Sequence, residues 1–598
     1  MTSSRFQFPE KQGFKKYVSD ATNAPEDSIC QPSVNCMINK NGDVATRLGY
    51  LDTAIDLGMG TNPVRTFYHE TYDITVCIGS TKVKYIDHNN SDAVVDTGST
   101  VTTATVTRME EYLGDVYYTN TTDGLKRGVF GQLNGSAASG AGTVTVDKDM
   151  ASRLSVFSKT SGNLIINGDS YAFNAVAIST GVITLNAVTL TQAYGDNVVC
   201  FVEHDISSNP GSDVKPSKLI FWKERMGLMG FEAADDADAP NNMVIWSKFT
   251  IGQVNAKSTL EDIVDFTYAD SKGATQTNIG KGGKLTNIIG AKDYCYFLKA
   301  KEAYAVNADD ISATGSTIGL TIPRLRDENH GCLNVDSAIA IGNNEIAYIT
   351  NDKRILRIVL STETGAAVVF PDENFDRDIW LDVEGMDDEQ ALAMAFYYKA
   401  QRKSIFQVSI GGQWYWLIYD HIIEAWQPPQ LVIPASDFFE RKGVLYATDS
   451  TTDTVYSIFT DFSDDGIPID CTVASPEFDV DDAMMRRGEA KGVITHGTTI
   501  EIRTYVFNNA GGRRISTPKE IEGSDFTYGA DRTIGATPIG GSSNAIRTQV
   551  ADWKKDWDIF PQECNKIQVR ATCEGDHFSL QRLQLKGDLY SNSFQKAL

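Results

Sequence analysis

The sequence predicts an all-β protein: a β-propeller-like body, an inserted small β-domain, and a C-terminal β-sandwich. Three observations carry this reading. Helical periodicity is almost absent. Short runs rich in Val, Ile, Tyr, Phe and Thr, bounded by Gly, Asn and Asp, recur along the chain. Several of these runs return at intervals of about 40–60 residues, the spacing of four-stranded blades around an axis.

Residues 1–130 hold an N-terminal segment and the first blades, with runs such as Asp73–Ile78 and Asp115–Thr119. Paired with their neighbours, the runs form seven units, near 67–87, 111–130, 218–247, 286–306, 337–360, 395–419 and 437–459. One small sheet cannot bury both of its faces, whereas a closed circle of sheets buries them all. The period breaks over 131–205, where Gly, Ala and Ser are frequent and tight hairpins are expected; this is the inserted domain. The remaining blades occupy 206–466. Over 467–598 longer alternating strands, such as Thr499–Phe507, predict the sandwich.

At 598 residues the chain exceeds what a single core can organise. Its nine cysteines stand singly and its seven histidines are dispersed, so no disulfide framework and no metal site are expected. No segment approaches the roughly 20 apolar residues needed to cross a bilayer, and the polar start lacks a secretion signal. Stable membrane insertion is not expected, and folding in a reducing cytoplasm is. The net charge of -24 argues against a surface that grips nucleic acid. From Pro468 onward 16 basic residues face 18 acidic ones, so most of the negative charge lies in 1–467.

Several strings suggest chemistry. Asp96-Thr97-Gly98-Ser99 matches an aspartic-protease loop, but the second loop that would share a proton with it is missing, and a turn is expected. The stretch Asp461–Gly466 begins like a calcium loop but has Thr472 where a bidentate Glu is needed. The acidic run 234–240 reads as a solvated loop, and Gly280–Lys284 lacks the hydroxyl residue of a phosphate loop. The aromatics Trp414, Tyr415, Trp416, Tyr419 and Trp426 read as packing between blades, with sugar stacking as the other use of such side chains. No catalytic residue and no cofactor are expected. A propeller glycosidase would need two carboxylates facing one cleft, which sequence cannot locate.

Three stretches resemble the tubular tail proteins, nozzle or tail hub, of short-tailed bacteriophages. One is Leu219–Gly230, with Arg225 and Gly227, followed by Asn242–Ser247, with Trp246 and Ser247. Another is Asn41–Gly49, with Arg47 and Gly49, where Leu48 replaces the family's proline. The last runs from Met394 through Trp414 to Glu424-Ala425-Trp426. The resemblance implies a virion structural protein, made in the host cytoplasm, that forms a hexameric ring extending the DNA ejection channel. Its implied partners are further copies of itself, the portal-adaptor ring, other tail proteins including fibres or spikes, and DNA that passes without specific binding. The alternative is a host-surface glycan-binding propeller. Met484, Met485, Arg486 and Arg487, at the entrance to the charge-balanced C-terminal region, form the expected partner interface.

Overall fold

The computed structural model describes residues 14–25, 27–59, 64–79, 81–102, 107–207, 209–210, 214–223, 225–230, 243–248, 266, 275–279, 283–307, 324–342, 344–361, 368–372, 374–495, 499–507, 513–515, 519–522, 550–558, 563–574 and 578–589. Among these, seven antiparallel sheets form the blades of a propeller. Their strands fall within 65–100, 108–132 with 199–205, 218–278, 285–327, 338–372, 394–431, and 435–461 with 49–56, numbered here as blades 1 to 7. The first strands, from Arg65–His69 in blade 1 to Ala435–Arg441 in blade 7, surround the axis.

Blade geometry follows from local sequence. The connections Leu113-Gly114 and Lys442-Gly443 take positive φ at both central residues, as two-residue hairpins of the primed type require. The second strands Ile74–Gly79, Asp115–Asn120 and Tyr294–Lys299 are buried along their whole length, because each is covered by a neighbouring blade on both faces. Their near-continuous apolar character reflects that double burial. Between blades the cores interdigitate, with Tyr85 and Phe130 joining blades 1 and 2, Trp246 and Phe297 joining 3 and 4, and Trp416 and Phe438 joining 6 and 7.

Closure of the ring uses a strand from the other end of the propeller sequence. Gly49–Asp56 pairs antiparallel with Thr454–Asp461 and completes blade 7. Blade 7 then meets blade 1 through Asp73, which accepts hydrogen bonds from Arg441 Nε at 2.9 Å, Lys442 Nζ at 2.7 Å and Tyr68 Oη at 3.0 Å. Arg441 above all holds the Asp73 carboxyl well below the usual carboxylate range.

The C-terminal β-sandwich is built from both ends of the chain as one twelve-stranded sheet folded over a shared core. Ser28–Val34 pairs with Cys471–Ala474, and Val44–Thr46 pairs with Phe578–Leu589. The sequence places residues 16–46 in an N-terminal segment, but their strands belong to this sheet because Ile29 and Val44 bury against Ile500, Ile567, Val569 and Leu580. The same core continues into blades 5 and 6 through Ile341, Phe406, Leu417 and Trp426. Asp382, on the short helix Trp380–Glu384, accepts hydrogen bonds from Tyr17 Oη at 2.9 Å and Gln31 Nε2 at 2.7 Å across the junction.

Between the third and fourth strands of blade 2 lies the inserted unit. Its strands extend the sheet of blade 2, while Val199–Asp205, at the end of the segment expected as an insert, returns to pair with Gly124–Gln132 as that blade's fourth strand. The unit also holds the helix Lys148–Val156, capped by Asp147, whose carboxylate accepts the Met150 N–H at 2.6 Å. At nine residues the helix is too short to show a period in the sequence. From it Arg153 reaches into blade 2 and donates to Gly114 O at 2.8 Å, Phe130 O at 2.7 Å and Tyr72 Oη at 2.8 Å. Arg153 and Arg127 together pair with Asp115, which is fully buried.

Removing one cation from this buried triad leaves Asp115 under-compensated, so Arg153→Ala is expected to cost about 3–5 kcal/mol. Urea unfolding measures it; a loss under about 1 kcal/mol would mean that the insert is not anchored through Arg153.

Candidate functional site

The starts of the first strands bring charged side chains to the axis. A cavity of about 310 Å³ opens there, lined by Arg65, Thr66, Phe67, Arg108, Met109, Glu110, Lys218, Asp336, Phe396, Asp437 and Phe438 among others. Arg108 and Glu110 are two residues apart on one strand, so the pleat puts both on the same face of blade 2. Three cationic side chains therefore meet three carboxylates drawn from blades 1, 2, 3, 5 and 7.

Asp336 is the centre of the cluster. Its Oδ1 accepts from Arg108 Nε at 2.8 Å, and its Oδ2 accepts from Arg108 Nη2 at 2.7 Å and Arg65 Nη2 at 2.6 Å. Burial opposes ionisation of Asp336, but the two arginines outweigh it and hold the carboxyl well below the usual range. Asp437 accepts the backbone N–H groups of Thr66 at 2.7 Å and Phe438 at 2.9 Å; burial raises it, opposed by Arg65. Lys218 donates to Asn287 Oδ1 at 2.7 Å and Val335 O at 3.3 Å, and burial lowers its pKa. Glu110 differs from the other carboxylates. Among the described residues it accepts no hydrogen bond, and burial pushes it up to about 7 against the pull of Lys218. Thr66 Oγ1 and Arg65 Nε are also buried there without a partner.

Of the stretches singled out from sequence, only the starts of two, at Leu219 and Met394, line this cavity; the other singled-out residues with described side chains are framework. Arg47 is buried, donating from Nη1 to Asp464 Oδ1 at 2.7 Å, from Nη2 to Leu431 O at 2.7 Å and from Nε to Asn35 Oδ1 at 3.3 Å. Gly49 passes so close to Ser463 that a Cβ would stand 2.0 Å from its carbonyl oxygen. Gly227 lies opposite Trp246 on the adjacent strand, and a Cβ there would stand 2.7 Å from the indole ring. Arg225 is buried beside them, which pulls its guanidinium down to about 10. Ser247 Oγ accepts the Met226 N–H at 2.9 Å, tying the strand to its neighbour. Trp426 donates from Nε1 to Phe375 O at 2.7 Å and packs at tilted and edge-on angles among Phe375, Phe406 and Tyr419. Met484, Met485, Arg486 and Arg487 lie in the long strand Phe478–Thr495, whose backbone pairs with Val550–Asp558, Glu563–Glu574 and Phe578–Leu589.

The other strings resolve as turns and packing. Asp96 is exposed, 3.2 Å from Lys82 Nζ, and accepts the Gly98 N–H at 2.8 Å, with Gly98 at a φ of +68°. In the stretch expected to resemble a calcium loop, Asp464 is taken by Arg47 and Asp465 by the Asp52 N–H at 3.3 Å. The acidic run 234–240 and residues 280–282 lie outside the described residues. Trp416 packs on Phe438 and Phe459 of blade 7.

Sequence reading missed two histidine contacts. Thr75 Oγ1 and Ser404 Oγ each lie 2.8 Å from a histidine Nε2, that of His88 and His421, and Asp92 Oδ1 is 2.5 Å from His88 Nδ1. In both blades the hydroxyl is the second residue of the second strand and the histidine follows the third strand. Both hydroxyl residues are fully buried, out of reach of a substrate, so these are clasps between strands. Burial lowers the pKa of both histidines and keeps them neutral. The axial cluster was invisible for a related reason: Arg65, Arg108, Lys218 and Asp336 are far apart in sequence and share no spacing.

No protein-family profile matches the chain, and no curated protein sequence is similar to it. Solved structures align with it only weakly. Dihydro-heme d1 dehydrogenase NirN aligns at 7% identity and a TM-score of 0.30, over 66% of this chain and 59% of that one. BamB from Moraxella catarrhalis aligns at 9% and 0.27, over 77% and 97%. An exo-β-1,3-galactanase from Phanerochaete chrysosporium aligns at 10% and 0.23, over 81% and 98%. At such scores these likenesses carry no functional argument.

Two substitutions separate framework from cavity. In Gly49→Ala the new methyl group meets backbone that cannot swing away, so a loss of about 3 kcal/mol or more in urea unfolding is expected; a loss under about 1 kcal/mol would refute the close approach. Glu110→Gln has the opposite sign. The folded state binds the Glu110 proton more tightly than the unfolded chain, so the wild type loses stability as pH rises from the ordinary Glu value of 4.5 through about 7. Glu110→Gln should therefore be more stable than wild type by about 1–3 kcal/mol at pH 8 and equal to it near pH 4. A variant less stable at pH 8 would show that Glu110 is ionised and paired.

Proposed function

We propose that this chain is a structural ring subunit of the tail of a short-tailed bacteriophage, of the nozzle or tail-hub class. One observation supports the reading most: the described residues that carry the resemblance serve architecture. Arg47, Gly49, Gly227, Trp246 and Trp426 set strand approach and join the propeller to the two-ended sheet. A protein selected for assembly needs a stiff body whose parts hold fixed relative positions, and this junction supplies it. In this reading the sandwich, with the strand that includes Met484–Arg487, docks the portal-adaptor ring and other tail proteins, in the virion.

The propeller axis does not serve as the DNA path. A space of about 310 Å³ crossed by the Asp336–Arg108 and Asp336–Arg65 pairs admits a small molecule and not a duplex. The conduit is formed between subunits, around the axis of the ring.

Mass photometry of the purified chain, alone and mixed with its adaptor ring, tests this. Six copies in a closed ring, formed alone or on the adaptor, is the expected result. A chain that stays monomeric in both mixtures and binds lipopolysaccharide would replace this reading with host-surface recognition.

A further inference from the structure

We propose that the axial cavity is a binding site for one neutral sugar residue. The inference rests on the cavity alone and stands whether or not the chain forms a tail ring.

Size sets the first limit. About 310 Å³ is at the lower end of the range of ligand pockets, which suits a single ring-sized molecule and not an extended chain. Charge sets the second. Cationic and carboxyl groups both line the cavity, so an ion of either sign meets groups of its own sign as well as of the opposite one. A neutral molecule with many hydroxyl groups meets both signs at once, donating to carboxylates and accepting from guanidinium or ammonium groups.

The lining also has the second half of such a site. Phe67 and Phe396, both only partly buried, border the same cavity and offer aromatic surface for the C–H face of a sugar ring. The polar groups are held in advance: Asp336 fixes both arginines, so their orientation costs little on binding.

Unmade hydrogen bonds show where the ligand would fit. Thr66 is 7% exposed, yet its hydroxyl has no partner. Glu110 carries a carboxyl that accepts nothing among the described residues. Arg65 Nε, like Thr66 Oγ1, is buried there without a partner. Buried polar groups are rarely left unpaired, and two such atoms beside one cavity are what a site looks like before its ligand enters.

The experiment uses the full chain at pH 7 with D-glucose, D-galactose, L-rhamnose and N-acetyl-D-glucosamine as probes, and L-alanine as a zwitterionic control. Saturation-transfer NMR and isothermal titration read binding. At least one sugar should bind with a Kd of about 10 mM or tighter, and L-alanine should not. Glu110→Met should weaken that sugar at least about tenfold without lowering the unfolding midpoint, and the near-isosteric Thr66→Val should weaken it about threefold. The proposal is overturned if no sugar of the panel binds, if L-alanine binds in their place, or if sugar affinity survives both substitutions.

Discussion

The structure depends on closing the ring with the strand Gly49–Asp56. Seven sheets bury their faces only if the last meets the first, and the last blade lacks its outer strand until the N-terminal part of the chain delivers it. The delivery point is Arg47. One guanidinium bonds to Asp464 beyond blade 7, to Leu431 at the end of blade 6 and to Asn35 in the loop between two strands of the sandwich. Two residues later Gly49 runs against Ser463, an approach that any side chain would block. Propeller and sandwich are therefore one cooperative object, since the segment that seals the first is the continuation of strands 28–46 in the second.

Closure has an electrostatic consequence at the centre. The first strands crowd the axis, and charged side chains there are largely withdrawn from bulk water. Arg65 and Arg108 satisfy Asp336, and backbone N–H groups satisfy Asp437. Breaking a buried pair of this kind is costly, but such a pair is weak evidence of net stabilisation, because desolvation offsets much of the attraction. An apolar plug would fill the axis at lower cost. Retention of six ionisable groups, one of them a carboxyl pushed up to about 7, marks the axis as the place where stability gives way to another requirement.

Much of the architecture was legible because propeller blades are local hairpins. The seven units read from Tyr- and Val-rich runs correspond to the seven blades, since each blade core is made by residues close in sequence, such as Ile74, Val76 and Tyr85. What could not be read was whatever joins distant residues. The pairing of Ser28–Val34 with Cys471–Ala474 spans more than 400 positions, and neither strand announces its partner. The helix capped by Asp147 was hidden by its length, and the axial cluster by its assembly from five blades. Arg47, Gly49 and Gly227 were found by motif likeness, but their reasons, a three-way guanidinium contact and two close backbone approaches, belong to tertiary structure.

On the tail-ring reading, charge and shape divide the work between them. Most of the negative charge lies in 1–467, which includes the propeller, while at the axis of that propeller carboxylates are paired with arginines. The uncompensated carboxylates consequently act outward from each subunit and not into its own centre. Between subunits arranged around a common axis, those fields would superpose in a space walled by low-dielectric protein, where screening is least effective. A duplex in that space is repelled from every side and held to the middle, so it moves without forming phosphate contacts that must be broken at each step. On that reading the ion pairs that cross the propeller axis would contribute indirectly, by stiffening each subunit and leaving the gap between subunits as the path.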